Sequence, residues 1–507
     1  MESGFKVSER LAEYARSSNR FSSKVKATPN YEQEYRDIFS QFGFSKYEIE
    51  EKLVDWEMSK IRSGLFFKNN PQYQIIFDIL EAIHNELEID DTRNQDLISY
   101  DIAVVIFVTL LAGLCGCTND EEIASFWFDN NMILQYLIPG MPSPKHMISS
   151  ETVRTIRKLI SEDVLHEFFV RHFGKIRILA SEMIRNKDYE VGSYRHLIGG
   201  DGQELRASYR QGRFNRKEKG GQGLTIFDCD DECVLGFTVA EKKNHEATGF
   251  IDILNRITVA DDVIFYADAL NLKQVLINYL NQRNLDWLFP VKNNGGNKEL
   301  NAGISKAFQE ASKKDIAFNH NTVEKISGRI ETTSFFMMSA ESLPEELRNK
   351  YGNTKTIIKV EKETLQIRSK VSSKDQKTPR KTSSVRYYIS SLEPTEENFM
   401  QLVHSIGVRW YYETHHNTID CVMLQDRQAL CNKENINSTV GKNKILYNLL
   451  SYARQRLSKD GFRRTRFRTE RSKESKPLSY QITCMTLSNN LYLAFRVMVD
   501  YLLDEFE

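Results

Sequence analysis

The sequence predicts a multidomain α/β protein in which helical regions precede and follow a mixed sheet. Three observations predict it. Helical periodicity runs to about residue 190, short apolar runs bounded by glycines and polar turns begin at Tyr194, and helical spacing returns from Glu396. The 507 residues are 40% hydrophobic and 11% aromatic, enough to bury several cores. Together with 27% charged residues, that apolar content excludes a wholly disordered chain.

Residues 1–30 read as a mobile arm. From Tyr31 to Lys60 two short helices surround Gly43, with Ser45 as the N-cap of the second. That pattern suits a helix-turn-helix and plain helix packing alike. Helices continue over 75–190. Their longest apolar run, Ile102–Cys117, falls short of the roughly 20 residues a membrane-spanning helix needs and reads as a buried core helix. Ser149-Ser150-Glu151-Thr152 has the form of a capped helix start. Residues 1–27 lead into no apolar signal segment, so a soluble intracellular protein is expected. The seven cysteines, an odd number, form no secreted disulfide framework. Cys115/Cys117 and Cys229/Cys233 lack the second Cys/His pair of a structural zinc site, so the thiols are expected to be free.

After Tyr194, His196–Asp201 reads as a short strand ending in two glycines and a carboxylate. Leu224–Phe227 and Val234–Ala240 are two more strands, joined by the polar turn 228–232. A helix over 245–257 precedes the continuous apolar strand 263–267, of the kind buried on both faces. Asp268 follows it, then a helical segment over 272–282 and a strand over 287–292 whose Pro290 suggests an edge or a strand end. Three strands, a helix, a strand, a helix and a strand are the order of a ribonuclease-H-like sheet, antiparallel at first and then extended in parallel. Residues 320–392 are again strand-rich (329–338, 356–360 and 385–392), and helices return from Glu396 through Gln428 and from Lys442 to the end.

Lys+Arg and Asp+Glu balance at 69 each, but the charge is segregated. Arg454–Lys476 holds ten basic and three acidic residues, among them Arg463, Arg464, Arg466 and Arg468 with Phe462 and Phe467 interleaved. Arg368–Arg386 holds seven against one, and Tyr209–Gly223 carries Arg210, Arg213, Arg216, Lys217 and Lys219 against Glu218. The segment 81–101 is the acidic counterpart, with seven carboxylates and one arginine. Three basic stretches around a carboxylate site point to a polyanion such as nucleic acid. Anchoring to the acidic segment of the same chain is the alternative.

Asp201 and Asp268 each close a strand, and carboxylates at neighbouring strand ends converge on the edge where α/β sheets bind ligands. Phe399, Leu402, Val403, Ile406 and Trp410 form an apolar stripe at helical spacing that Glu413 extends, and a carboxylate on such a stripe demands a partner or a cation. Arg409 is the candidate ion-pair partner. Glu331, on an alternating strand, is the competing third carboxylate and is expected to face solvent. Three hard carboxylates suit Mg²⁺, with Mn²⁺ able to substitute, rather than zinc. Two such ions about 3.5–4 Å apart stabilise both the attacking and the leaving oxygen of an in-line phosphoryl transfer.

At this point the chain resembles the DDE transposases of bacterial insertion sequences, in particular the H-repeat-associated group. The resemblance covers about 75–458, leaving 1–75 and 459–507 outside it. It rests on Leu110-Leu111-Ala112-Gly113 with Glu121-Glu122-Ile123-Ala124, Asp201-Gly202-Gln203-Glu204-Leu205-Arg206 and Glu241-Lys242-Lys243-Asn244-His245-Glu246. It continues through Asp268-Ala269-Leu270, Pro290-Val291-Lys292-Asn293, Gly328-Arg329-Ile330-Glu331, Arg386–Leu392 and Trp410-Tyr411-Tyr412-Glu413. The resemblance implies a ribonuclease-H-like core with a β-rich insertion, Asp201, Asp268 and Glu413 as the catalytic, metal-binding triad, and Arg409 and Trp410 beside the DNA end. Two positions of the family's signature differ here, where Ile406 stands for a tyrosine and Asp420 for a lysine.

The organisation expected is an arm with extra helices over 1–74, an all-α domain associated with DNA over 75–190, the core over 191–295 and 396–458, the β-rich insertion over 296–395, and a basic tail with a helix over 459–507. The function expected is metal-dependent DNA cleavage at transposon ends followed by strand transfer. Two alternatives stand beside it: a retired transposase kept as a DNA-binding regulator, and a metal-dependent nuclease without strand transfer. In the leading reading Lys292, Arg210 and Arg213 contact phosphates, and Trp410 stacks on a base or sits in the core. The partners are double-stranded DNA and a second copy of the chain, with no membrane, in the cytoplasm at the nucleoid.

Overall fold

In the computed structural model the described residues are 79–80, 83, 100–138, 141, 148–159, 194–205, 208, 221–240, 246–257, 259, 263–293, 295–312, 315–326, 329–366, 380–428, 433–459 and 478–503. They fall into two compact units, one within Met1–Leu179, Leu205–Gly220 and His416–Glu507, the other within Ala180–Glu204 and Gly221–His415. The helices expected over 31–60 and the basic stretches bearing Arg210, Arg213, Arg216, Lys217, Arg463, Arg464, Arg466 and Arg468 lie outside the described residues.

Among the described residues, the helices of the first unit include α1 (Ile102–Leu114), α2 (Asp120–Asp129), α3 (Asn131–Leu137) and α4 (Ser150–Leu159). The expected apolar run forms α1, buried along nearly its whole length, and Asp101 caps it by accepting from the Ala103 amide at 2.7 Å. Among the described residues no helix is long and apolar enough to cross a membrane. Asn119 caps α2 through the Glu122 amide, and Glu122 returns the favour by accepting from the Thr118 amide at 2.6 Å. Ser149 accepts from the Thr152 amide at 3.1 Å, the cap that the sequence of α4 suggests. The six described cysteines are free thiols.

The second unit carries the sheet. Its strands are β1 (Leu197–Glu204), β2 (Gln222–Asp228) and β3 (Cys233–Ala240), then α5 (Glu246–Arg256), β4 (Ile264–Ala267), α6 (Gln274–Gln282) and β5 (Asp286–Val291). The order β3-β2-β1-β4-β5 places β1 between an antiparallel partner, β2, and a parallel one, β4. Phe250 from α5, Phe265 from β4, and Trp287 and Phe289 from β5 are fully buried and pack ring on ring at 5.8–6.4 Å. Each buried aromatic contributes about 1.5–3 kcal/mol, and the cluster ties α5 to the parallel strands β4 and β5.

Beyond β5 come α7 (Lys298–Glu310), β6 (Phe318–Ile326), β7 (Arg329–Ser339), α8 (Glu345–Lys350), β8 (Thr356–Gln366) and β9 (Arg380–Ser390). These strands do not form a separate sheet. β9 pairs antiparallel with β5, and the order continues β9-β8-β7-β6, making one nine-stranded sheet. Of the two places expected for Pro290, an edge or a strand end, the structure gives the second, since Pro290 is the penultimate residue of β5. Its strand is central, but the pairing with β4 stops at Leu288, so the missing N–H falls where β4 has already ended. The seam is tightened by the Ser391 hydroxyl, which accepts from the Trp287 amide at 2.9 Å, and by the Ser390 hydroxyl, which donates to the Trp287 carbonyl at 2.8 Å.

Two helices close this part of the chain, α9 (Glu396–Val408) and α10 (Tyr411–Cys421). Gln401 of α9 is buried and ties both backbone groups of Arg195, accepting from its N–H at 2.6 Å and donating to its carbonyl at 2.9 Å. The first unit ends with α11 (Lys433–Lys459), α12 (Tyr480–Ser488) and α13 (Leu491–Leu503). The Tyr447 and Tyr480 hydroxyls meet at 2.8 Å between α11 and α12.

At the start of β1, His196 lies 2.9 Å from Asp228 and 3.6 Å from Asp231. Burial works against a charged imidazole, but the hydrogen bond and charge of Asp228, with Asp231 and Asp230 behind it, outweigh that and lift the His196 pKa to about 9. Folding raises the value above that of the unfolded chain, so this stabilisation is complete below about pH 6.5 and lost as pH rises through about 9. The shift is worth at most about 3 kcal/mol. We expect urea unfolding at pH 6, 8 and 10 to show this decline, and Asp228→Asn to lower stability at pH 6 and flatten the dependence. A variant with the wild-type slope would assign the decline to another group.

Candidate active site

β1 and β4 run parallel in the register Gly199↔Tyr266 and Gly200↔Ala267, and there the pairing ends. The next residue on each strand is an aspartate, Asp201 on one and Asp268 on the other. Two carboxylates are thus delivered side by side at the carboxyl end of adjacent parallel strands. The strand of Asp201 does not end there as expected. β1 runs on to Glu204 against β2, with Asp201 opposite Thr225, so Asp201 sits where β1 outlasts β4. Its Oδ1 accepts from the Gly202 amide at 2.9 Å.

Glu413 arrives by a different route from the one its sequence suggests. The expected continuous helix breaks after Val408, and Arg409-Trp410 form a turn before α10 begins at Tyr411. Phe399, Leu402 and Ile406 face the core, but the stripe stops with them: Trp410 is 45% exposed and Glu413 is exposed. The core reading of Trp410 is thereby excluded, and Glu413 is not a carboxylate in need of burial compensation. Tyr412 does the anchoring. Buried beside Glu413, it donates its hydroxyl to the Gly199 carbonyl, with the Thr225 carbonyl 3.0 Å away. Its ring lies where a side chain at residue 199 would stand, so only glycine admits it. Gly200 faces the opposite side of the sheet, towards Phe250, which puts Asp201 on the Tyr412 side by strand alternation.

The three carboxylates line one cleft of about 580 Å³. Lys292, Arg386 and Arg409 share it, as do Tyr266, Tyr387, Tyr388 and Trp410. Lys292 lies at 2.8 Å from Oδ1 and 2.9 Å from Oδ2 of Asp268. Arg409 does not ion-pair with Glu413. Its guanidinium hydrogen-bonds with Tyr266 and lies 4.6 Å from the centre of the Trp410 ring. Burial disfavours the Arg409 charge, yet Tyr388, Tyr266 and Glu413 together raise its pKa above the ordinary arginine value. Burial likewise pushes the Tyr266 hydroxyl up, so it stays protonated while its oxygen accepts from Arg409.

Of the residues the sequence singles out, Asp201, Asp268, Glu413, Lys292, Arg409 and Trp410 meet in this cleft. Glu331 does not line it. It is buried in β7 rather than facing solvent, held by Arg329 and Lys362 at 2.7 Å each. The tyrosines were not anticipated, although Tyr387-Tyr388 on the alternating β9 and Tyr266 beside Asp268 were visible as aromatic residues next to the motifs. Among the described residues the one set of metal-ligating groups within 4.8 Å of one another is His196, Asp228 and Asp231, at the other end of β1. Asp201, Asp268 and Glu413 instead share the cleft.

The donor set fits a hard divalent cation: three carboxylates and no thiol or imidazole among the triad, with an ammonium already seated against both oxygens of Asp268. Cationic and aromatic walls beside this donor set suit an anionic ligand held together with a hard cation.

Residues 196–449, half of the chain, match the family described as "Transposase DDE domain". The chain belongs to that family and is a DDE transposase of bacterial insertion-sequence type, a class of DNA-processing enzyme that uses a divalent metal. Among individual proteins it is 23% identical over 369 residues to "Putative transposase YncI" of Escherichia coli O157:H7, spanning 71% of this chain and 85% of that one. It is 22% identical over 248 residues to the protein of the same name in Escherichia coli K12, spanning 48% and 89% respectively. Among solved structures it matches a piggyBac transposase synaptic complex with hairpin DNA at 10% identity and a TM-score of 0.34, over 86% of this chain and 79% of that one.

Gly199→Ala places a methyl group in the Tyr412 ring. We expect it to cost about 1–3 kcal/mol through overpacking, read as a fall in Tm by circular dichroism. Tyr412→Phe, which removes only the hydroxyl, should cost about 1 kcal/mol. An unchanged Tm for Gly199→Ala would show that the seat is not needed.

Proposed function

We propose that the cleft is the active site of a transposase that cuts DNA at the ends of its element and joins those ends to target DNA. The observation that carries the reading is the convergence on one cleft of Asp201 and Asp268, from adjacent parallel strands, with Glu413. We read β1–β5 as a ribonuclease-H-like core, with β6–β9 as an insertion between the second aspartate and the glutamate. Asp201, Asp268 and Glu413 would hold Mg²⁺ or Mn²⁺, which when bound supplies positive charge to the attacking and leaving oxygens of an in-line displacement.

The chain's own residues do the rest. The carboxylates act as ligands and not as proton carriers. In cleavage, a water oxygen bonds to phosphorus as the bond to the 3′ oxygen breaks, and that oxygen leaves as a 3′-hydroxyl. In joining, the oxygen of that hydroxyl bonds to a target phosphorus as the phosphorus loses its bond to its own 3′ oxygen, which leaves as a new 3′-hydroxyl on the target. Lys292, Arg386 and Arg409 offer cations to phosphate oxygens, and Trp410, exposed with Arg409 stacked on it, offers a face to a base. The basic stretches with Arg210, Arg213, Arg216, Lys217, Arg463, Arg464, Arg466 and Arg468 extend the backbone contacts. Coupled cutting of two ends calls for two copies of the chain on DNA. The helical domain over 75–190 is proposed as DNA-associated.

Glu413→Gln keeps the shape and removes the charge. In an assay with end-containing duplex and Mg²⁺, we expect cleavage to fall by at least about a hundredfold, while DNA binding stays within about threefold because the phosphate contacts are intact. Retained cleavage would remove Glu413 from the triad. Wild-type products decide among the functions: joined molecules indicate a transposase, cut ends without joining a nuclease, and binding alone a regulator.

A further inference from the structure

Lys292 sits where a metal is expected. Its Nζ is 2.8 Å from one oxygen of Asp268 and 2.9 Å from the other, so the ammonium lies on the bisector of the carboxylate, the direction from which a cation is chelated. It comes from the end of β5, next to the β4 strand that delivers Asp268. The pair is only partly desolvated, with side chains 50% and 39% exposed, so it is weak enough to exchange. Lysine suits exchange better than arginine, because its charge is a point on a long flexible stem rather than a rigid fork. Glu413 and Arg409 make no such pair in the same cleft, which leaves Lys292 as the cation on Asp268.

We propose that Lys292 is the resident counter-ion of Asp268 and that it alternates between two partners. Without a divalent ion it neutralises Asp268 and competes for the metal position. When the ion takes both Asp268 oxygens, the ammonium is expelled into the cleft, where the DNA phosphate is the anion available to it. Lys292 is thus a positioning residue that couples metal loading to phosphate capture. This inference rests on the triad reading above.

The test uses the full chain and Mn²⁺, with free ion followed by electron paramagnetic resonance and no DNA present. Removing a competing cation should tighten binding, so Lys292→Met and Lys292→Gln are each expected to bind Mn²⁺ about three- to tenfold more tightly than the wild type, with Lys292→Arg near or below it. Thermal unfolding checks that the variants are folded, and two different neutral side chains guard against an accident of one. Equal or weaker binding in both neutral variants overturns the inference. The control is Asp268→Asn: if it binds Mn²⁺ as the wild type does, the triad reading itself falls and takes the lysine with it. If Asp268→Asn loses the ion while the neutral lysine variants gain nothing, only the lysine inference fails.

A second readout concerns the other partner. The dependence of DNA affinity on salt is measured in Ca²⁺ and in EDTA. In Ca²⁺ the slope of Lys292→Met is expected to be shallower than that of the wild type by about 0.9, one phosphate contact, and in EDTA equal to it. A difference of the same size in EDTA, or none in Ca²⁺, overturns the exchange.

Discussion

The candidate site depends on a steric constraint at one residue of β1. Because Gly199 has no side chain, the Tyr412 ring can lie directly on the strand and its hydroxyl can reach a backbone carbonyl there. Everything nearby follows from that seat. Tyr412 fixes the first turn of α10, the first turn carries Glu413, and the same strand carries Asp201 two residues beyond the glycine. A single contact thereby registers a helix more than two hundred residues downstream against the sheet edge where the aspartates emerge. Gly200 repeats the arrangement on the other face for Phe250, so the Gly-Gly pair thins β1 on both sides where helices must approach.

Electrostatically, the two ends of β1 are opposites. At its start His196 is buried between aspartates, with its charge held by Asp228, and the pair is part of the folding energy. Where β1 outlasts β4, Glu413 is exposed and the Lys292–Asp268 pair is half-exposed. Buried ion pairs are costly to break, whereas exposed ones exchange cheaply. The fold thus spends its durable pairing on structure and keeps the exchangeable one in the cleft.

The strands after β5 belong to the same argument. By continuing the sheet instead of forming a separate layer, β9 places Tyr387 and Tyr388 along the cleft beside residues of β4, β5 and the α9–α10 turn. The serines at the end of β9 lock this extension to Trp287 by hydrogen bonds. β9 thereby forms a wall of the cleft, and its Tyr388 acts on the charge of Arg409.

Local chemistry determined a good deal of this by itself. Apolar runs bounded by turns marked β2, β3, β4 and β5, capping residues marked α4, and the two aspartates stood out because each follows a short apolar run before a turn. Those signals are carried by neighbours in sequence, which is why they could be read there. The tertiary structure decided the remainder. Helical spacing carried an apolar stripe through Trp410 to Glu413, but the helix breaks at Arg409-Trp410 and Glu413 stands exposed. Pro290 left an edge and a strand end both open, and only pairing shows that it lies near the end of a central strand, past the last residue paired with β4. The convergence of tyrosines and cations from β4, β5, β9 and the α9–α10 turn has no local signature at all. Periodicity specifies which face of its own element a residue occupies, and only the packing of distant elements decides which faces meet.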